Sequence, residues 1–370
     1  MHRLRELDFL RGIAILLVLL NHQYLFQFTR NIGWIGVDLF FVLSGFLVSG
    51  LLFKEYQKSG KIDPMRFLIR RGFKIYPLYY LFYPVYLIPI LFQHQFSLLR
   101  FLSDVFFCQN YVNGWGYAFA PSWSLAVEEH FYFGLTFLLS YVIRNKKYGL
   151  YESDSSDRVG KFEKVVFLIM IVCLLCRVIQ NIVLPDLISR NFTMTHLRID
   201  SLLAGVLVSY LFHFKHAYLE RNFIRFKRSS MLLAFLLLSF TPFLNENYSF
   251  FVKTIGFTFV YISFSIVLIH VLYTPAINEK LDTWFSKPIV TFISRVGVCS
   301  YAIYIIHTFI NESIILLPFQ DIADYLHVEI KYLLFPFSIV LSILCGRWMT
   351  QFIERFFLIR RDRYYPSRSA

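Results

Sequence analysis

Apolar residues run along the chain in stretches too long and too continuous for the half-buried elements of a soluble domain. They occupy 9–28, 35–53, 76–92, 122–143, 162–183, 200–214, 231–244, 249–274, 296–317 and 332–353. A helix needs about 20 apolar residues to cross the hydrocarbon core, so the pattern predicts ten transmembrane helices. The seventh stretch is short, and the third carries Pro77, Pro84 and Pro89. A membrane bundle tolerates such prolines when neighbouring helices satisfy the freed carbonyls. The first stretch follows Arg3 and Arg5 as the apolar core of a secretory signal would, but no small-x-small cleavage site succeeds it. It therefore reads as an uncleaved first helix.

The basic residues test this numbering, because Lys and Arg accumulate in alternate connections when spans are counted correctly. The N-terminus, the connections 54–74, 144–164, 215–230 and 275–295, and the tail 354–370 together hold 28 of them. The intervening connections 29–34, 93–121, 184–199, 242–248 and 318–330 hold 4. Both termini are therefore expected in the cytoplasm, and the Ser/Asp-rich stretch within 145–164 reads as a mobile cytoplasmic loop.

Composition agrees: 57% of the 370 residues are hydrophobic, 16% are charged and the mean hydropathy is +0.54. The expected architecture is all-α, a single polytopic membrane helix bundle over 1–370 in an inner or plasma membrane. Too little chain remains between the spans for a large soluble module. The formal charge of +13 would suggest nucleic acid in a soluble protein. Here the cations sit between spans, where lipid headgroups and topology account for them, and nucleic-acid binding is not expected. Cys173 and Cys176 form a C-x-x-C inside an apolar run without a second ligand pair, which reads as packing and not as a metal site.

Ionisable groups inside spans cost free energy and are functional candidates by default. Arg11 and His22 are eleven residues apart, about 20° beyond three full helical turns, so they share one face roughly 16 Å apart along the axis. With the N-terminus inside, His22 falls in the outer half of the bilayer. Asp38, near the start of the second span, is expected at comparable depth, where it could orient the imidazole; as a helix-start residue near water it would need no such role. Arg70, Arg71 and Lys74 stand just before the third span, where they would gather anions or simply set topology. Glu128 and Glu129 are adjacent carboxylates expected about 9 Å inside the fourth span. Arg198 and Asp200 mark the start of the sixth span as a potential pair, and His307 lies mid-span beside Tyr301 and Tyr304.

This constellation resembles the acyltransferase-3 family of membrane O-acyltransferases, whose marker is arginine, ten residues, histidine in the first helix, as in Arg11 and His22. Similar too are the run Gly36-Val37-Asp38-Leu39-Phe40-Phe41-Val42-Leu43-Ser44-Gly45, the run Arg70-Arg71-x-x-Lys74-Ile75-Tyr76-Pro77 and the run Ser122-Trp123-Ser124-Leu125-x-x-Glu128. The family commonly has Arg where Lys74 stands; the substitution keeps charge and loses the bidentate fork. The resemblance extends from Leu7 to about Phe357, and the chain looks like a stand-alone form without the fused esterase-like domain of some relatives.

The resemblance implies transfer of an acyl group, most often acetyl, from a cytoplasmic coenzyme A thioester to a hydroxyl of an envelope carbohydrate, lipid-linked or polymeric, at the outer face. It implies a catalytic group of His22, Asp38 and Glu128, with a covalent acyl-His22 species as the alternative route. Arg11, Arg70, Arg71 and Lys74 would hold acetyl-CoA or another acyl-CoA, and Glu129, Trp123, Arg198 and Asp200 would meet the acceptor. No metal is implied. The competing reading is a transporter with an intramembrane His/Asp/Glu pathway, which need not have the Arg70-Arg71-Lys74 cluster and would favour inverted repeats, of which none is visible. A structural scaffold would leave the buried charges unexplained.

Overall fold

The computed structural model describes residues 4–23, 26–145, 150, 159–245, 249–316 and 331–368. Most of the Ser/Asp-rich loop and all of the connection 318–330 lie outside the described residues. Among the described residues there is no strand, and each apolar stretch contains helix.

The helices are α1 (Arg5–Asn21), α2 (Gln27–Gly33), α3 (Ile35–Ser59), α4 (Pro64–Phe92), α5 (Leu98–Val105), α6 (Gln109–Val112), α7 (Trp123–Arg144), α8 (Lys161–Val183) and α9 (Ile188–Thr193). They continue as α10 (Ile199–Phe214), α11 (His216–Leu238), α12 (Phe257–Tyr273), α13 (Ile277–Phe285), α14 (Lys287–Val298), α15 (Ser300–Phe309), α16 (Lys331–Met349) and α17 (Arg355–Tyr364). Short π-helical turns, Val252–Gly256, Ile310–Leu316 and Thr350–Glu354, adjoin α12, α15 and α16.

Five helical segments are long and apolar enough to cross a membrane: Gln27–Ser59, Pro64–Phe92, Lys161–Val183, Val252–Tyr273 and Leu334–Tyr364. The number rises to seven if the pairs α10 with α11, bent by 110°, and α14 with α15, bent by 76°, each count as one span. Ten apolar stretches therefore do not translate directly into ten long spans. The 17-residue α1 falls short of the roughly 20 residues a bilayer asks for, and α7 carries Glu128 and Glu129 in its interior.

Several connections are more ordered than expected. The third span does not begin at Tyr76. Asp63 caps α4 by accepting the backbone N–H of Arg66, and Pro64 occupies the first turn, so Arg70, Arg71 and Lys74 stand inside the helix. The basic connection 215–230 is helical, as is most of the tail after Glu354. Conversely the first helix ends at Asn21, short of Phe28, and His22 caps it with near-helical backbone.

Close backbone approach joins the central helices. A Cβ on Gly45 would overlap the carbonyl oxygen of Leu202, and one on Gly205 would overlap that of Val42, so α3 and α10 pack through two glycines. α1 is flanked by α3 on one side and by α14 on the other. Arg11 of α1 lines one cavity together with polar residues of α3, α4, α7 and α15.

Candidate active site

Two cavities are each lined by residues of α1, α3 and α7. The first, of about 370 Å³, is lined by Arg11, Ser44, Arg70, Arg71, Lys74, Glu128, Tyr132, Tyr301, Arg361 and Arg368, among others. The second, of about 890 Å³, is lined by His22, Arg30, Arg100, Trp115, Trp123 and Arg190, among others. Val37 and Tyr304 line both, so these two side chains border both spaces. Arg11 within α1 and His22 at its C-terminal end thus open into different cavities.

The first cavity is rich in cations that are unequally engaged. Lys74 is ion-paired with Glu354, and its ammonium lies 5.8 Å from the centre of the Tyr301 ring. Arg70 pairs with Asp362 at 3.1 Å and donates to the carbonyl of Tyr365. Arg11 donates to Ser300 Oγ at 3.3 Å and lies 3.7 Å from Asp8. Arg71 is different: its guanidinium is held against the rings of Phe67 and Tyr132, at 5.5 and 5.9 Å, with no carboxylate in ion-pair contact among the described residues. Stacking fixes the plane of the fork and leaves its N–H groups for an anion, which suits a phosphate. Across the cavity Glu128 accepts the Tyr132 hydroxyl at 2.8 Å, and that hydroxyl is 3.2 Å from Ser44 Oγ.

The second cavity holds His22 at the end of α1. Asn311 Nδ2 donates to its carbonyl at 2.9 Å, and its ring meets that of His307 edge to face, with centroids 4.9 Å apart. His307 in turn engages the Tyr304 carbonyl through Nδ1 at 2.7 Å, while its Nε2 is buried without a protein partner. Trp123 sits edge-on to Trp115 and Phe192 on the wall.

Other expected members stand apart from both cavities. The structure does not join Asp38 to His22: the carboxylate receives two bonds from Arg198, at 2.9 and 2.8 Å, and one from Ser201 at 2.9 Å, all fully buried. Asp200 does not pair with Arg198; its partner is Arg177, at 2.9 Å. Glu129 accepts from Tyr76 at 2.8 Å and lines neither cavity, although it neighbours Glu128 in sequence. Adjacent helix positions point about 100° apart, which separates the two glutamates. Glu128 makes no hydrogen bond with His22 either, since it faces the first cavity.

The C-terminal segment contributes what no sequence pattern indicates: Glu354, Arg361, Asp362 and Arg368 join or border the first cavity. Their basic density is visible in the sequence, but nothing there brings residue 361 beside residue 70. Arg30, Arg100 and Arg190 are equally inconspicuous, as isolated cations in sparsely charged connections.

Known proteins bear on this geometry. A profile of the acyltransferase-3 family, described as an acyltransferase domain, matches residues 4–351. The chain belongs to this family. It is 33% identical over 142 residues to the peptidoglycan O-acetyltransferase OatA of Listeria monocytogenes, covering 34% of this chain and 22% of that protein. It is 26% identical over 223 residues to the O-acetyltransferase OatA of Staphylococcus aureus, covering 55% of this chain and 34% of that protein. A further Staphylococcus aureus protein, provisionally named an O-acetyltransferase, is 27% identical over 319 residues, or 81% of this chain and 49% of that protein. The chain thus spans about half the length, or less, of the curated relatives it matches. No solved structure matches it.

Proposed function

We propose that this protein is a multi-pass membrane O-acetyltransferase that moves an acyl group from cytoplasmic acyl-CoA to a hydroxyl of an envelope carbohydrate on the outer side. The observation that carries the reading is a pair of cavities that share Val37 and Tyr304 in their walls, one rich in cations and the other containing His22. Alternation of basic residues, 28 against 4, supports ten membrane-embedded helices with both termini in the cytoplasm and the cation-lined cavity opening there. The donor is polyanionic and belongs to the cytoplasm, so cavity and donor match in charge and side.

In this reading Arg70, Arg71, Lys74 and Arg11 hold the donor's phosphates, with stacked Arg71 the best prepared of the four. His22 takes the proton of the acceptor hydroxyl as its oxygen bonds to the thioester carbonyl carbon. The C–S bond breaks and the proton passes from the imidazolium to the departing thiolate, which leaves as the free thiol. Glu128, with Tyr132 and Ser44, forms the polar wall on the donor side, and His307 orients His22 through ring contact. Asp38 acts at a distance, fixing α3 to the segment before α10 through Arg198; Trp123 offers a face to the acceptor. The acceptor class rests on the names of the relatives.

The test is the alkali-labile acetate released from envelope glycans of cells with and without the protein, and with His22→Ala. Acetate should rise with the protein and fall by about 10²- to 10⁴-fold in rate with the variant, the usual loss for a general base. Equal acetate in all three strains would refute the reading.

A further inference from the structure

Resting on that reading, we infer that the second cavity selects an anionic saccharide, one whose acetylated unit carries or adjoins a carboxylate or phosphate neutralised by Arg100 and Arg190. The alternate connections assigned to the outer side contain only four cations: Arg30, Arg100, Arg190 and Arg198. Arg198 is buried against Asp38. The other three all line the cavity that holds His22.

Their convergence is tertiary, because they come from α2, α5 and α9. Topology pressure depletes Lys and Arg on this side, so cations retained together around one cavity need another cause. Among the described residues a single carboxylate, Asp186, lines the space that Arg100 and Arg190 line. Arg190 is braced by one bond to the Val112 carbonyl at 2.7 Å, which spends one of its five donors. Arg100 is exposed and has no carboxylate in ion-pair contact among the described residues.

The remaining wall suits a sugar. Three of the five tryptophans, Trp34, Trp115 and Trp123, line it. Flat aromatic faces cover the C–H surface of a pyranose at little entropic cost. Trp34 Nε1 and Asn113 Nδ2, on residues lining this cavity, are donors without a protein partner. Ring and hydroxyl oxygens would complete them, and buried donors left unmatched are otherwise costly.

The experiment locates the acetate by mass spectrometry of glycan fragments from cells carrying the protein, then uses that glycan with membranes and labelled acetyl-CoA. The acetylated fragment should contain a carboxylate or phosphate. Carboxyl reduction of the deacetylated glycan should abolish transfer if a carboxylate is read; aqueous hydrogen fluoride, which removes phosphate, should abolish it if a phosphate is read. Arg100→Gln should raise the acceptor KM by roughly tenfold or more without moving the donor KM, Arg100→Glu should raise it further, and Arg100→Lys should retain most affinity. Acetate confined to neutral units, or transfer surviving both chemical treatments, overturns the inference while leaving O-acetyl transfer standing. Absence of acetylation on any glycan overturns the functional reading and the inference with it.

Discussion

Arg198 grips Asp38 through two hydrogen bonds across 160 residues of sequence, and both side chains are wholly shielded from solvent. The guanidinium is also enclosed by aromatic rings, with Phe257 3.7 Å from its centre and Phe192 at 4.9 Å. A buried charge stripped of its partner is far worse than a pair removed together. Asp38→Asn should therefore destabilise the folded protein by about 3–5 kcal/mol. Combining it with Arg198→Gln should recover part of the loss. Thermal unfolding in detergent checks this, and a single variant as stable as the parent with only turnover reduced would instead put Asp38 at the chemistry.

Arg71 and Arg70 should differ in their effect on the donor. Arg71→Ala removes a stacked fork without a carboxylate partner, so a lost charge-assisted bond to phosphate of about 1.5–3 kcal/mol would raise the donor KM roughly 10- to 100-fold. Arg70 is already engaged by Asp362 and the Tyr365 carbonyl, and Arg70→Ala should raise it less. Rising salt should weaken donor binding further by screening. Unchanged donor kinetics in Arg71→Ala would move the phosphate contact elsewhere.

What the sequence makes legible follows the reach of each signal. Helical periodicity acts within one element and says nothing of which cavity Arg11 or His22 enters, whereas local density suffices to pick out the cations of 70–74. A short connection and similar depth suggest Asp38 beside His22, but depth does not determine direction around the helix axis. The true partner, Arg198, is supplied by tertiary packing through Gly45 and Gly205. Glu354 reaching Lys74 is likewise a contact between distant segments, invisible to any local pattern. Apolar stretches locate helices well but do not reveal bends such as the 110° turn between α10 and α11.

Asp104 supplies a pH test outside the spans. It is fully buried at the end of α5, where it accepts from the backbone N–H groups of Tyr117 and Ala118 and from the Tyr83 hydroxyl, each at 3.0 Å. Burial pushes its carboxyl up to about 6, partly offset by these bonds. Because the folded value lies above the ordinary carboxylate value of about 4, its stabilising contribution is complete below the latter and is lost as pH rises through about 6. The thermal midpoint should fall between about pH 4.5 and 7 by an amount missing from Asp104→Asn. Identical profiles for the two proteins would remove Asp104 as the source.

Cys108 gives the proposed topology a native reporter. It is an exposed free thiol in the connection 93–121, whereas Cys173 and Cys299 are buried. A membrane-impermeant maleimide should label it in intact spheroplasts, and Cys108→Ser should lose most of that labelling. Labelling that requires permeabilised membranes would reverse the orientation.

Transfer between compartments is tested most directly by vesicle sidedness. Acetyl-CoA does not cross membranes, so labelled donor is added outside either inverted or right-side-out vesicles prepared from cells carrying the protein, with their endogenous glycan. On the proposed topology the cation-lined cavity faces the bath only in inverted vesicles, which should incorporate alkali-labile acetate into glycan and lose that ability with His22→Ala. Equal incorporation by sealed right-side-out vesicles would contradict donor entry from the cytoplasmic side, and with it the division of labour between the two cavities.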